Sequence, residues 1–264
     1  MKKYLAFVLS LLLALCVTAG AAPAAYLDGY TNITIRDGVS AATTGWYGPQ
    51  EDEEVEPNCL TGQIWDLEGV FISGSNLALV GGYNFESGQG GWTSGDLFID
   101  IDRDAVYGPD NAGSGGDQSY SSNVTSTFGY DYVLDFDFAA GTYNVYQLEP
   151  GTTVLRVWYN QNDESNPWQY ASGGTLVEGW EGIAFDYLTG QTDADTGLLG
   201  GDHNIVGVDL GFLPVGTTFT SHFTYECGND NLMGQDTIVP VPAPLLLLGT
   251  GLIGLVGIRR RARP

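Results

Sequence analysis

Thr218-Phe-Thr-Ser-His-Phe-Thr-Tyr-Glu-Cys227 decides the fold class. Phe219, Phe223, Tyr225 and Cys227 fall on one side of an extended chain, and Thr220, His222, Thr224 and Glu226 on the other. A period of two is the signature of a half-buried antiparallel strand. The pattern recurs upstream. Val206, Val208, Leu210 and Phe212 alternate with Gly207, Asp209 and Gly211, and Leu134, Phe136 and Phe138 with Asp135 and Asp137. Further strands are expected at Gly69–Ser73, Leu77–Val80, Gly95–Asp102, Thr142–Leu148 and Thr153–Tyr159, with turns at Glu149-Pro-Gly151 and Asn166-Pro167. No stretch of the core sustains a period of 3.6. The one short helix candidate, Glu178–Leu188, is weakened by Gly179 and Gly182. Many short strands with turns between them predict a single all-β domain over residues 25–234, an antiparallel β-sandwich or jelly roll.

Charge narrows the function classes. All 32 acidic residues lie between Asp28 and Asp236, whereas Lys2, Lys3, Arg259, Arg260, Arg261 and Arg263 sit at the two ends. Only Arg36, Arg103 and Arg156 remain inside. Such a core repels phosphate backbones, which excludes nucleic acid as a partner. It also repels anionic membrane surfaces. Solubility and divalent cations are what it favours.

The ends read as targeting segments. Met1-Lys2-Lys3, the apolar run Leu5–Val17 and the Ala-x-Ala sites Ala19-Gly-Ala21 and Ala22-Pro-Ala24 make residues 1–24 a secretory signal peptide. Cys16 follows the bulky Leu15, which argues against lipidation. At the other end, residues 235–264 contain a proline stretch with Pro240, Val241 and Pro242. An uncharged run carrying Leu245, Leu248, Leu252, Leu255 and Ile258 follows, then the arginines 259, 260, 261 and 263. An apolar run of this kind enters lipid as a helix, and terminal arginines stay on the cytoplasmic side. This three-part tail resembles the PEP-CTERM sorting signal of Gram-negative bacteria, with Val241 where that family usually carries glutamate. The resemblance implies export through signal peptidase, transient anchorage in the inner membrane and cutting near Pro240-Val-Pro242 by an exosortase-like enzyme. Delivery to the cell surface or exopolysaccharide would follow. His222-Phe-Thr-Tyr-Glu-Cys-Gly-Asn-Asp230 also looks like a segment that precedes the anchor in such proteins.

Within the core, candidate sites are sparse. Cys59 and Cys227 remain after signal removal, and export into an oxidising compartment favours a disulfide between them. It would close a loop of about 168 residues, worth roughly 5 kcal/mol in the chain-entropy model. Asp100, Asp102 and Asp104 alternate along the chain and suit calcium, although solvated strand ends give the same pattern. Asp193-Ala-Asp195 with Asp202 is a second acidic loop. Gln50-Glu-Asp-Glu-Glu-Val-Glu-Pro57 reads as a loop, because its self-repulsion is too great for a sheet interior. Trp168, beside Pro167 in a polar context, is the best candidate for stacking on a sugar ring. Glu178, Glu181 and Asp186 are the best carboxylates for glycan hydrolysis if Trp180 and Phe185 desolvate one of them. His203 and His222 lie in no nucleophile motif, and there is neither a Gly-x-Ser-x-Gly elbow nor a phosphate loop. No catalytic residue and no obligatory cofactor is assigned, calcium being the one cofactor considered. The expected function is a structural or adhesive surface protein, with a calcium-dependent carbohydrate-binding module and a glycan hydrolase as alternatives.

Overall fold

The computed structural model describes residues 25–35, 51–55, 59–105, 121–156 and 166–240. The signal segment, Val241, Pro242 and the whole apolar and arginine tail lie outside these residues; of the sorting motif only Pro240 lies within. Sixteen strands are present among the described residues. They are β1 (Thr31–Asn32), β2 (Thr34–Ile35), β3 (Leu67–Ser73), β4 (Asn76–Gly81), β5 (Leu97–Asp100), β6 (Ser122–Thr125), β7 (Tyr132–Asp137) and β8 (Thr142–Gln147). Then follow β9 (Thr153–Arg156), β10 (Gln169–Ser172), β11 (Thr175–Leu176), β12 (Ile183–Ala184), β13 (Asp186–Gln191), β14 (His203–Asp209), β15 (Thr218–Thr224) and β16 (Asn231–Thr237). Among the described residues, helix is confined to a 3-10 turn at Gln63–Trp65 and one α-helical turn, α1, at Asp193–Thr196. Neither is long enough to cross a membrane. The described residues form an all-β fold, as the period-two patterning predicts.

Every strand pairing is antiparallel. One sheet runs β1-β3-β4-β14-β13; a second runs β11-β8-β7-β5-β15-β16-β2, with β12 also on β8; a small third runs β10-β9-β6. The alternation seen in the sequence sorts the side chains. Val206 and Val208 of β14, Val70 and Ile72 of β3 and Leu77 and Leu79 of β4 enter one large apolar cluster. Leu97, Leu134, Val145, Phe219, Phe223 and Leu232 of the second sheet enter the same cluster. Phe71, Ala78, Val80 and Ile205 point the other way, under Leu27 and Leu198. Ile33 ties the edges of the two large sheets together. Its N–H donates to Val70 O at 2.8 Å, and its carbonyl accepts from Gln235 N at 3.0 Å.

Three expectations are corrected. The Thr220, His222 and Thr224 face of β15 is buried, not solvated, because the third sheet and its approach lie over it. His222 Nε2 meets Pro167 O at 3.0 Å there. Residues 178–188 form no helix; β12 and β13 occupy them, since two-faced packing on β8 and β14 overrides weak helix propensity. The core also extends past residue 234. Strand β16 pairs with β15 from Asn231↔Thr224 to Thr237↔Thr218, and Ile238 is buried in the main cluster.

Gly95 marks where the chain is tightest. A Cβ there would lie 2.0 Å from Trp168 O and 2.5 Å from Thr224 O, both backbone atoms. Gly141 has a φ of +69° and open space around it. In urea unfolding, Gly95→Ala should therefore cost more than about 3 kcal/mol or abolish folding. Gly141→Ala should cost about 1–2 kcal/mol from backbone strain alone.

Candidate functional site

The start of β3 carries an irregularity that builds the site. Leu67 pairs with Gly81 but Gly69 pairs with Val80, so Glu68 is an extra residue, a bulge. The bulge keeps Leu67 and Val70 in the same apolar cluster and turns Glu68 towards His203, the first residue of β14. His203 Nδ1 lies 2.7 Å from Glu68 Oε2 and Nε2 lies 3.1 Å from Asp193 Oδ1. A ring that donates from both nitrogens is an imidazolium. Burial works to lower the His203 pKa, but the Glu68 and Asp193 carboxylates outweigh it and hold the ring above its ordinary value. Hydrogen bonding to His203 in turn holds Asp193 below the usual carboxylate range. Glu68 Oε1 accepts from Gln63 Nε2.

Asp193 is positioned by α1. Thr192 and Asp195 form a reciprocal capping box around the first turn, and Gly201 N donates to Asp193 Oδ1 at 2.9 Å.

The acidic loop 51–55 closes on this arrangement. Glu51 and Glu54 are 7% and 5% exposed, Val55 is in the main apolar cluster, and Asp52 accepts from Leu199 N at 3.1–3.2 Å. Asp66, 0% exposed, accepts from Glu53 N through Oδ2 at 2.9 Å. One oxygen each of Asp52, Asp66 and Glu68 lies within 4.8 Å of the others. Asp230 completes the acidic core from the β15–β16 turn, where Oδ2 accepts from Leu67 N and Oδ1 from Asn231 N. Burial pushes the Asp66 and Asp230 carboxyls far up; Glu68 adds to it at Asp66, and Glu54 and Asp66 add to it at Asp230. An all-oxygen set of this kind holds hard cations.

The residues singled out in the sequence fare differently. Asp100 and Asp102 come together with Asp131, and Asp104 lies beside Asp102, its backbone N–H donating to Asp102 Oδ1 at 3.3 Å. Strand β5 ends at Asp100, whose carboxylate turns the chain by accepting from Asp102 N, Arg103 N and Ala105 N, so the three aspartates do not share an extended face. Trp168 is 3% exposed, with Nε1 donating to Ser121 Oγ at 3.0 Å, so its ring is core and presents no face to a sugar. Glu178, Glu181 and Asp186 are exposed. Trp180 packs on Phe212 and Phe185 on Phe136 and Phe138, and neither desolvates a carboxylate. Asp186 accepts from Tyr26 OH at 2.9 Å. Cys59 and Cys227 are both buried in the main cluster.

Sequence reasoning missed Glu51, Glu54, Asp66, Glu68 and Asp230 as a group. The available signal, for Glu51 and Glu54, was a dense run of carboxylates with no Lys or Arg interleaved, read as a loop. Comparison with protein-family models, curated proteins and solved structures returned no match.

Two outcomes check the electrostatics. His203→Gln should cost about 3–5 kcal/mol by leaving Glu68 buried without its cation, and adding Glu68→Gln should recover most of it in a double-mutant cycle. His222, fully buried and close to Tyr130, is lowered by burial to a pKa of about 4. Its folded value lies below the ordinary one near 6.5. The neutral ring therefore stabilises fully above that pH, and the contribution is lost as pH falls towards 4, by about 1.4 kcal/mol per unit. Unfolding free energies measured from pH 7 to 4 should show that slope as the difference between wild type and His222→Gln.

Proposed function

We propose that this chain is an exported protein of the cell surface or extracellular matrix. In this reading a PEP-CTERM-type sorting tail is carried on a β-sandwich core of structural or adhesive role. The observation that carries it is the segregation of charge. Basic residues flank the two apolar ends, while the 32 acids occupy the segment between. Signal peptidase, an exosortase-like enzyme and, in passing, the inner membrane are its processing partners, and exopolysaccharide is the matrix it meets. Nucleic acid is not among its partners, and the core is read as non-enzymatic. One apolar cluster fed by both large sheets supports the sandwich reading.

A Cys59–Cys227 disulfide belongs to the same proposal. Asn229, two residues from Cys227, binds both backbone groups of Leu60, the neighbour of Cys59, at 2.7 and 2.8 Å. As a thiol, Cys227 is pushed up to about 12 by burial, so at neutral pH it would be inert once folded.

Intact-mass measurement of the protein recovered from the host surface tests both points. The expected chain begins near residue 25, ends near Pro240-Val-Pro242 and is two hydrogens lighter before reduction than after. A mature chain still ending at Pro264 would sink the sorting model.

A further inference from the structure

We propose that Asp52, Asp66 and Glu68 hold a hard divalent cation of the calcium type where the acidic loop closes on the start of β3. Their carboxylate oxygens converge within 4.8 Å, and Asp66 and Glu68 are 0% and 1% exposed. Convergence alone would say little in so acidic a chain. The deciding observation is Asp66 Oδ1, which is fully buried and outside hydrogen-bond geometry of any donor, while Oδ2 accepts from Glu53 N and the Glu54 backbone also lies near the group. A buried carboxylate oxygen without a donor is strongly unfavourable unless a proton or a cation meets it. His203 does not fill that role. Both of its ring nitrogens are committed, to Glu68 and to Asp193.

The donor chemistry selects the ion. Every group offered is a carboxylate oxygen, and the imidazole, engaged as a double donor, has no lone pair for zinc. Calcium accepts six to eight oxygens in irregular geometry and matches a site assembled from a loop and a strand bulge. Magnesium demands a near-ideal octahedron and suits this set less. The second acidic group, Asp100, Asp102 and Asp131, lacks the deciding feature. Both oxygens of Asp100 accept backbone N–H groups, and Asp131 Oδ2 accepts from Ile101 N at 2.7 Å.

A cation at this point would fasten loop 51–55 to β3. Through Leu67 N and Asp230 it would also brace the β15–β16 turn against the other sheet. The inference stands on the cluster alone and does not depend on the export reading.

The test uses the purified full chain stripped with EDTA and titrated with Tb3+ and Ca2+ at pH 7.5. Trp65 immediately precedes Asp66, and Tyr225 lies 6.2 Å from its ring, so bound Tb3+ should luminesce on aromatic excitation and Ca2+ should quench it by displacement. Ca2+ should also raise the melting temperature, more than Mg2+ does. Asp66→Asn should weaken the sensitised site at least tenfold, while the double variant Asp100→Asn with Asp102→Asn should leave it unchanged. Should Asp66→Asn fail to fold by circular dichroism, Asp52→Asn, at a partly exposed position, serves instead and should show the same tenfold loss. No Ca2+-dependent emission or melting shift in the wild type would overturn the proposal. So would undiminished Tb3+ binding in a folded Asp66→Asn or Asp52→Asn variant, or a preference for Mg2+.

Discussion

A carboxylate can be buried only if backbone N–H groups, a proton or a cation replace the water it gives up, and this chain buries many carboxylates with very few basic residues to meet them. The fold answers with its own backbone. Asp96, 1% exposed, accepts from Phe136 N at 2.9 Å and from Tyr170 N at 2.8 Å, joining β7 to β10. Asp131 accepts from Ile101 N, Asp52 from Leu199 N and Asp230 from Leu67 N. Each is an acidic side chain serving as a clasp between segments distant in sequence. His203 provides a cationic clasp of the same kind, with Glu68 on one side and Asp193 on the other.

These clasps converge on the turn between β15 and β16. Asn229 pairs with both backbone groups of Leu60, Asp230 holds Leu67, Thr224 Oγ1 donates to Asp230 O, and Tyr225 OH donates to Trp65 O at 2.6 Å. The segment from Cys59 to Leu67 is thus anchored to the second sheet before it continues as β3 of the first. Tyr225 also stacks on Tyr83, with ring centroids 4.3 Å apart. A turn that reads as a simple exit from the last strand is the joint between the two sheets. That position explains why the same turn borders the acidic cluster.

Much of the architecture was legible residue by residue. The alternations at 206–212, 134–138 and 142–148 mark strands because side chains on a pleated backbone face opposite ways at every step. Short strands such as β1, β2, β11 and β12 carry too few residues to show a period, and only pairing to a neighbour makes them strands. Tertiary context likewise set the helix candidate at 178–188 aside. Polarity misled at β15, where His222 and Thr224 look solvent-facing but lie beneath the third sheet.

The linear sequence by itself determined the all-β class, the charge segregation and the apolar faces, because those follow from local periodicity and composition. It did not determine which acids are buried. Glu54 in a carboxylate run and Asp104 in an alternating one look alike on paper; one lies 5% exposed in the core and the other is exposed at a turn. What separates them is a strand bulge at Glu68 and a turn at Asp230, brought together across about 160 residues. Desolvation depends on that three-dimensional neighbourhood, so only the tertiary structure decided where the carboxylates converge.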